Sequence, residues 1–263
     1  MTHTAEFPEG VQGIWLQTPI SRAAGYGVYV FRAGPWLIDA GFKNARRALL
    51  AWPGLEGASG CLLTHHDEDH TGNAAQLAAR GFEVLAPSRV IERLQPRPIP
   101  LYRRLMWGTA AVGPVGPLGD GLRAEGWRLD PVYTPGHSAD HYAYHEPDRD
   151  LVFSADLYIG RRVPVARPDE DLPQLLASLR RVRNLNPRVM FCAHRGRIAR
   201  PAESLQAKID WLEEVISRAR ELARGGLKVA EIGRRVLGRR GFIDWVSFGE
   251  YSRRNLIELA LRA

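Results

Sequence analysis

The run Thr64-His65-His66-Asp67-Glu68-Asp69-His70 sets six imidazole or carboxylate side chains in unbroken succession. It follows the apolar stretch 60–63, so the chain delivers these groups directly out of a short buried strand. Carboxylates and imidazoles crowded this way would repel one another and resist desolvation unless a cation held them. Three further segments carry the same residue types. Tyr133-Thr134-Pro135-Gly136-His137-Ser138-Ala139-Asp140-His141 puts histidines after a Pro-Gly turn. Phe153-Ser154-Ala155-Asp156 ends an apolar stretch in a carboxylate, and Phe191-Cys192-Ala193-His194 ends one in an imidazole. Taken singly, a strand closing on a polar residue is ordinary. Several strands that deliver Asp and His to one edge are what a metal site needs. Such a site polarises a carbonyl or phosphoryl oxygen and activates water.

The order and spacing of these segments resemble the metallo-β-lactamase superfamily. That family reads Thr-His-x-His-x-Asp-His, then a Pro-Gly-His turn, an Asp after an apolar strand, and a late Gly-His. The resemblance covers roughly residues 10–200, about three quarters of the chain. It implies an α/β (α+β) fold, the αββα sandwich, with two sheets packed face to face, helices outside, and metals at one edge between the sheets. It also implies two divalent metal ions. His65, Asp67 and His137 would hold the first, Asp69, His70 and His194 the second, and Asp156 would bridge them. A hydroxide held between the cations would attack the substrate, with Asp69 doubling as a catalytic proton shuttle.

One position departs from the family pattern. Asp67 stands where the second motif histidine belongs. His66 is adjacent, but successive residues of an extended segment point to opposite sides, which makes it a poor substitute. Asp67 is therefore expected to ligate through oxygen, with a supporting role beside the ligands as the alternative. Two divalent cations with Asp69, Asp156 and a hydroxide leave one net positive charge, and Asp67 would cancel it. Zinc is the first expectation, and the more anionic donor set brings iron or manganese into range. His141, Arg161 and Arg195 are candidate substrate-binding residues, the arginines for an anionic group, with support of the metal ligands from behind as the alternative for His141. The plain alternatives are a strand histidine and surface arginines.

Elements must position these groups. Strands are expected at 11–17, 26–32, 36–39, 60–63 and 82–86, where β-branched and aromatic residues are bounded by Gly and Pro. More follow at 122–127, 131–133, 141–145, 151–154 and 188–193. Helices are expected at 43–51, 72–80, 87–94 and 171–183, then at 203–224, 229–237 and 252–262. The span 95–121 is rich in Pro and Gly, has no clear period, and reads as a long functional loop. Two units are expected: a catalytic domain over 1–200 and a small helical C-terminal extension over 201–263.

Composition narrows the class. With 263 residues, 45% hydrophobic and 25% charged, the chain reads as an ordinary globular protein. No stretch approaches the ~20 apolar residues of a membrane span. The first ten residues lack the basic start and apolar core of a signal peptide, so a cytoplasmic location is expected. Cys61 and Cys192 are then expected as buried reduced thiols. The net charge of +7 invites a nucleic-acid reading. Yet lysine occurs only at Lys43, Lys208 and Lys228, and the arginines are scattered without a basic run interleaved with aromatics. Nucleic acid and membrane are therefore not expected partners, and a small, anionic substrate is. Trp211, Leu212, Val215 and Ile216 of the tail are expected to pack on the parent domain, with a homodimer surface as the alternative. By resemblance to glyoxalase II and lactonase-like members, the expected activity is hydrolysis of a small ester, thioester or lactone. A phosphodiesterase or ribonuclease-like activity is the runner-up, and a non-catalytic sensor, favoured by Asp67, is the third reading.

Overall fold

The computed structural model describes residues 2–110, 113–239 and 241–263, apart from the side chain of Phe242. Two sheets form its centre. The first runs in order β1 (His3–Glu6), β2 (Val11–Leu16), β3 (Val28–Ala33), β4 (Trp36–Ile38), β5 (Gly60–Leu62), β6 (Glu83–Ala86) and β7 (Gly116–Pro117). Its first four strands pair antiparallel and the rest parallel. The second holds β8 (Leu122–Ala124), β9 (Trp127–Tyr133), β10 (Tyr142–Glu146), β11 (Leu151–Ala155), β12 (Val189–Cys192) and β13 (Gly196–Ile198), in that order. Only its β11–β12 pair is parallel.

Alternation along the strands explains the layering. In β11, Leu151 and Phe153 join the core between the sheets while Val152 points to the outer helices, and in β12 Val189 and Phe191 oppose Met190 and Cys192 in the same way. Phe31 of β3 meets Phe153 and Phe191 across the interface at ring centroids of 6.0 and 5.2 Å. Strands buried on both faces need continuous apolar runs, which is how these segments read. Outside the first sheet lie α2 (Arg46–Leu50), α4 (Ala74–Ala78), α5 (Ser88–Arg93) and α6 (Leu101–Met106). Outside the second lie α7 (Leu172–Asn184), α8 (Pro201–Arg224), α9 (Val229–Leu237) and α11 (Arg253–Arg262). The remaining helices are α1 (Pro19–Ala23), α3 (Glu68–Thr71) and α10 (Phe242–Val246). The arrangement is the αββα sandwich, with C-terminal helices.

Leu212 and Val215 are buried against the second sheet's helical face, with Trp211 and Ile216 packed beside them. One apolar core thus includes residues from both sides of position 200. Among the described residues no helix is long and apolar enough to cross a membrane. Both cysteines are free and buried.

Several boundaries differ from expectation. The single strand expected at 122–127 is instead a hairpin. Glu125 and Gly126 adopt φ of 49° and 74°, the two positive values that a tight two-residue turn requires. The span 95–121 contains α6 and β7, with residues 111–112 outside the description. Pro100 precedes the first helical turn, a position where proline helps rather than breaks a helix. The helix expected at 72–80 is found shortened as α4, with the one-turn α3 just before it, and β1, α1, α3 and α10 had no visible signal.

Candidate metal centre

The first motif leaves β5 at its apolar end. Asp39, at the end of β4, accepts hydrogen bonds from the Thr64 amide and hydroxyl at 2.9 and 3.0 Å. Asp67 is extended and starts the one-turn helix α3, which turns Asp69 and His70 inward. His137 follows Gly136, whose φ of 134° and close approach to the Leu175 backbone leave no room for a Cβ. Asp156 follows Ala155, held at a φ of 41° where the β11–β12 register shifts. A non-glycine residue in that region stores strain, which tends to gather at functional sites.

The histidines are oriented from behind. His70 Nδ1 donates to Asp39 Oδ2 at 2.7 Å, and His194 Nδ1 donates to the Gly27 carbonyl at 2.7 Å. His65 Nδ1 lies 2.9 Å from Thr64 Oγ1. With Nδ1 engaged, each ring presents Nε2 to the centre, the usual arrangement behind a metal ligand. Asp156 lies between the rings. Its Oδ1 is 3.3 Å from His70 Nε2 and 3.2 Å from His194 Nε2, and its Oδ2 is 3.5 Å from His137 Nε2. Asp69 Oδ2 sits 3.8 Å from His70 Nε2 and 3.7 Å from His194 Nε2.

These atoms fall into two sets with potential metal-ligand atoms close together: His65, His137 and Asp156, and Asp69, His70 and His194. The Nε2 atoms of His65, His70 and His137 and the Oδ1 of Asp156 are buried without a hydrogen-bond partner. Buried polar atoms are rarely left so, and four at one point call for a cation. The spacing agrees: ligands about 2.1 Å from a tetrahedral metal are about 3.4 Å from one another. The donor set therefore fits divalent metal ions.

Asp67 is engaged differently. Its Oδ2 lies 3.6 and 3.4 Å from His65 and His137 Nε2, within reach of the first set. The same oxygen accepts from Arg167 Nη1 at 2.7 Å, and Oδ1 accepts from Arg103 and Arg97 at 3.3 and 3.2 Å. Burial would raise the Asp67 carboxyl, but Arg167, with His137 and His65, outweighs it and holds the group well below the usual carboxylate range. The charge that Asp67 adds to the centre is thus matched by guanidinium groups. His66 points elsewhere, its amide and Nδ1 both tied to Asp140. Glu68 accepts from Arg103 at 2.8 Å, yet burial still raises its carboxyl to about 7.

His141 is fully buried rather than substrate-facing. Its Nδ1 contacts Thr134 Oγ1 at 2.8 Å and its Nε2 accepts from the Asp156 amide at 3.1 Å, so it holds the Asp156 backbone. Burial, with His65 and His137 nearby, lowers its pKa well below the usual imidazole value and keeps it neutral. Arg161 and Arg195 are exposed and stand outside the pocket lining; Arg195 Nε donates to the Ile159 carbonyl. The pocket itself opens over Asp69, His137, Asp156 and His194, between Tyr26, Tyr102, Met106, Trp107, Val163, Val165, Ile243 and Tyr251.

Sequence reasoning missed Asp39, Arg103, Arg167 and Tyr251. Asp39 ends an apolar strand just as Asp156 does, and that signal was available. Arg167 had none. It is placed by a two-way backbone pairing of Ala166 with Ser252, at 3.2 and 3.1 Å, and lies under the Tyr251 ring at 5.9 Å.

Comparison with known proteins agrees with this geometry. Residues 28–194 match the family model described as the Metallo-beta-lactamase superfamily. An atrochrysone carboxyl ACP thioesterase of Aspergillus fumigatus is 30% identical over 192 residues, 71% of this chain and 56% of that protein. A hydroxyacylglutathione hydrolase of Cereibacter sphaeroides is 29% identical over 134 residues, 50% of this chain and 46% of that protein. The chain spans about half the length of the curated relatives it matches. Among solved structures, a beta-lactamase domain protein from Burkholderia ambifaria superimposes with a TM-score of 0.73 at 18% identity, covering 98% of this chain and 87% of that one. A metallo-beta-lactamase family protein from Thermus thermophilus gives 0.70 at 21%, covering 97% and 93%. The chain belongs to the metallo-beta-lactamase superfamily.

Proposed function

We propose that the protein is a dinuclear metal-dependent hydrolase of a thioester or a related ester or lactone. One observation carries this reading: three imidazole nitrogens and a carboxylate oxygen, buried and unpartnered, converge at the floor of an apolar-walled pocket. His65, His137 and Asp156 would hold one divalent ion and Asp69, His70 and His194 the other, with Asp156 shared and Asp67 beside the first. Zinc suits the imidazole-rich set, and the Asp67 oxygens keep iron or manganese open. Bound there, the ions supply Lewis acidity toward a carbonyl oxygen and lower the pKa of water.

The chain's own residues do the rest. Asp69, which lines the pocket 3.7 Å from His194 Nε2, would take a proton from the attacking water and pass it to the leaving group. His141 fixes Asp156, Asp39 fixes His70, and the pocket's apolar walls exclude competing water. Thioesters are favoured because the relatives above include an ACP thioesterase and a hydroxyacylglutathione hydrolase. A phosphodiester is disfavoured because Arg103, the guanidinium in the described lining, is already engaged by Glu68 and Glu250.

The test is elemental analysis of protein purified without added metal, followed by a panel of thioester, lactone and phosphodiester substrates. Two metals per chain, thioester turnover, and loss of both in Asp156→Ala are expected. No bound transition metal and no turnover after adding zinc, iron or manganese would overturn the reading. At most one metal with tight ligand binding but no turnover would instead indicate a sensor.

A further inference from the structure

Among the described residues, the large apolar side chains left half or more exposed are Ile20, Leu101, Leu105, Trp245 and Phe248, at 50, 67, 54, 65 and 89%. They are not scattered. Leu101 and Leu105 share one face of α6, four residues apart, while Met106 and Trp107 at the end of the same helix line the pocket. Trp245 lies on α10, whose Ile243 lines the pocket, and Phe248 lies in the turn leading to Tyr251, another lining residue. Ile20 lies on α1, which packs on α6. Tyr102 and Arg103 bond Glu250 at 2.6 and 3.0 Å and tie α6 to the turn that carries Phe248. The pocket's apolar wall therefore continues outward as an apolar rim.

Phe248 adds a second, independent observation. Its φ is 52°, a left-handed conformation that a bulky residue adopts only at a cost, yet its ring packs against almost nothing. Strain at an exposed aromatic residue has no return in folding stability. Clustered exposed apolar groups of this kind mark a surface that binds something.

From this continuity we infer that the rim on α1, α6 and the 242–250 segment binds the apolar tail of the substrate, a long or bulky acyl group whose carbonyl lies at the metal centre. As a statement about the substrate this rests on the thioester reading above. The ligand chemistry, an apolar group with its polar end in the pocket, follows from the rim itself.

The test is therefore made in two parts on the metal-loaded protein. Binding of dodecanamide and acetamide, which are not thioesters, is measured by calorimetry for wild type, Leu105→Ser and Phe248→Gly. Glycine accepts the positive φ, so Phe248→Gly should melt no lower than wild type and any lost binding is not misfolding. Each methylene buried is worth on the order of fourfold in affinity. Dodecanamide should bind far more tightly than acetamide, and each variant should weaken it by about tenfold or more. Turnover is then compared for dodecanoyl and acetyl thioesters, where the ratio of their KM values should collapse in the variants.

Equal binding of the two amides, or variants that bind dodecanamide as wild type does, overturns the inference. So does cosedimentation of wild type but not the variants with phosphatidylcholine–phosphatidylglycerol vesicles, which would make the rim a membrane-facing surface. A dimer in sedimentation velocity that the variants dissolve also overturns it. Rim-dependent amide binding without turnover of either thioester upholds the rim and sinks the thioesterase reading alone.

Discussion

Arg167 Nη1 lies 2.7 Å from Asp67 Oδ2, the oxygen that also faces His65 and His137. A guanidinium thus stands beside the candidate site of His65, His137 and Asp156, and the second Arg167 nitrogen donates to the His137 carbonyl at 3.0 Å. Arg167 links the two loops that supply this site.

Replacing Arg167 with methionine should leave the buried Asp67 carboxylate with only its longer contacts to Arg103 and Arg97. Breaking such a pair from one side costs about 3–5 kcal/mol. A divalent ion can substitute for the lost charge. The melting temperature of Arg167→Met should therefore fall sharply with chelator and recover more than wild type's when zinc is added. An equal zinc response in both proteins would show that Asp67 does not sense the metal.

Asp39 acts through His70. Removing a carboxylate that orients a ligating imidazole usually weakens metal binding by about 10–100-fold. Asparagine tolerates the φ of 65° at this position, so Asp39→Asn tests the charge rather than the backbone. Competition with a chromophoric chelator should show one of the two sites weakened by that factor, and unchanged affinity at both would refute the role.

Gly136 sets His137. A Cβ here would lie 2.4 Å from the Cα and amide nitrogen of Leu175, and backbone on an α7 buried along one face cannot retreat easily. Gly136→Ala should cost about 3 kcal/mol by strain and clash together. Denaturant unfolding gives the stability and elemental analysis the stoichiometry, which should drop toward one metal. A variant with wild-type stability would contradict the packing described.

Lys208 is a buried ammonium that donates to the Tyr158 carbonyl. Burial lowers its pKa from 10.5 to about 8 against the pull of Glu170 and Asp156. Because the folded value lies below the unfolded one, the fold bears the full cost below pH 8 and sheds it as pH rises toward 10.5. Lys208→Met should be more stable than wild type at pH 7, by up to about 3 kcal/mol less roughly 1 for the lost hydrogen bond. That advantage should shrink by about 2 kcal/mol between pH 7 and pH 9.5 in paired urea unfolding curves. A pH-independent difference would mean that Lys208 is not strained by burial.

The candidate metal ligands were legible because they follow strands or a turn or cluster in the run that forms α3, and the type and spacing of such residues survive in the sequence. The same holds for the two sheets, whose doubly buried strands read as apolar runs. Arg167 was not legible. Its partner Asp67 is one hundred positions away, and an arginine in a chain rich in scattered arginines carries no spacing signal. Charge counting on ligands alone therefore made the centre more neutral than the surrounding guanidiniums leave it. Helix α6 was hidden by flanking prolines and glycines that resemble loop composition, and the hairpin at Glu125-Gly126 lacked the asparagine or aspartate that usually announces such a turn.

The pairing of Ala166 with Ser252 has a consequence for the order of assembly. Residue 167 is held in place by a strand-like contact of Ala166 with Ser252, far later in the chain, beyond α8 and α9. On a ribosome, where chains are made from the N-terminus and earlier parts fold first, the ligand loops emerge long before Ser252 does. Asp67 spends that interval beside two imidazoles without its strongest counter-charge. The last turn before α11 would thus act as a timer, with the site reaching its mature form once the segment through Ser252 has been made.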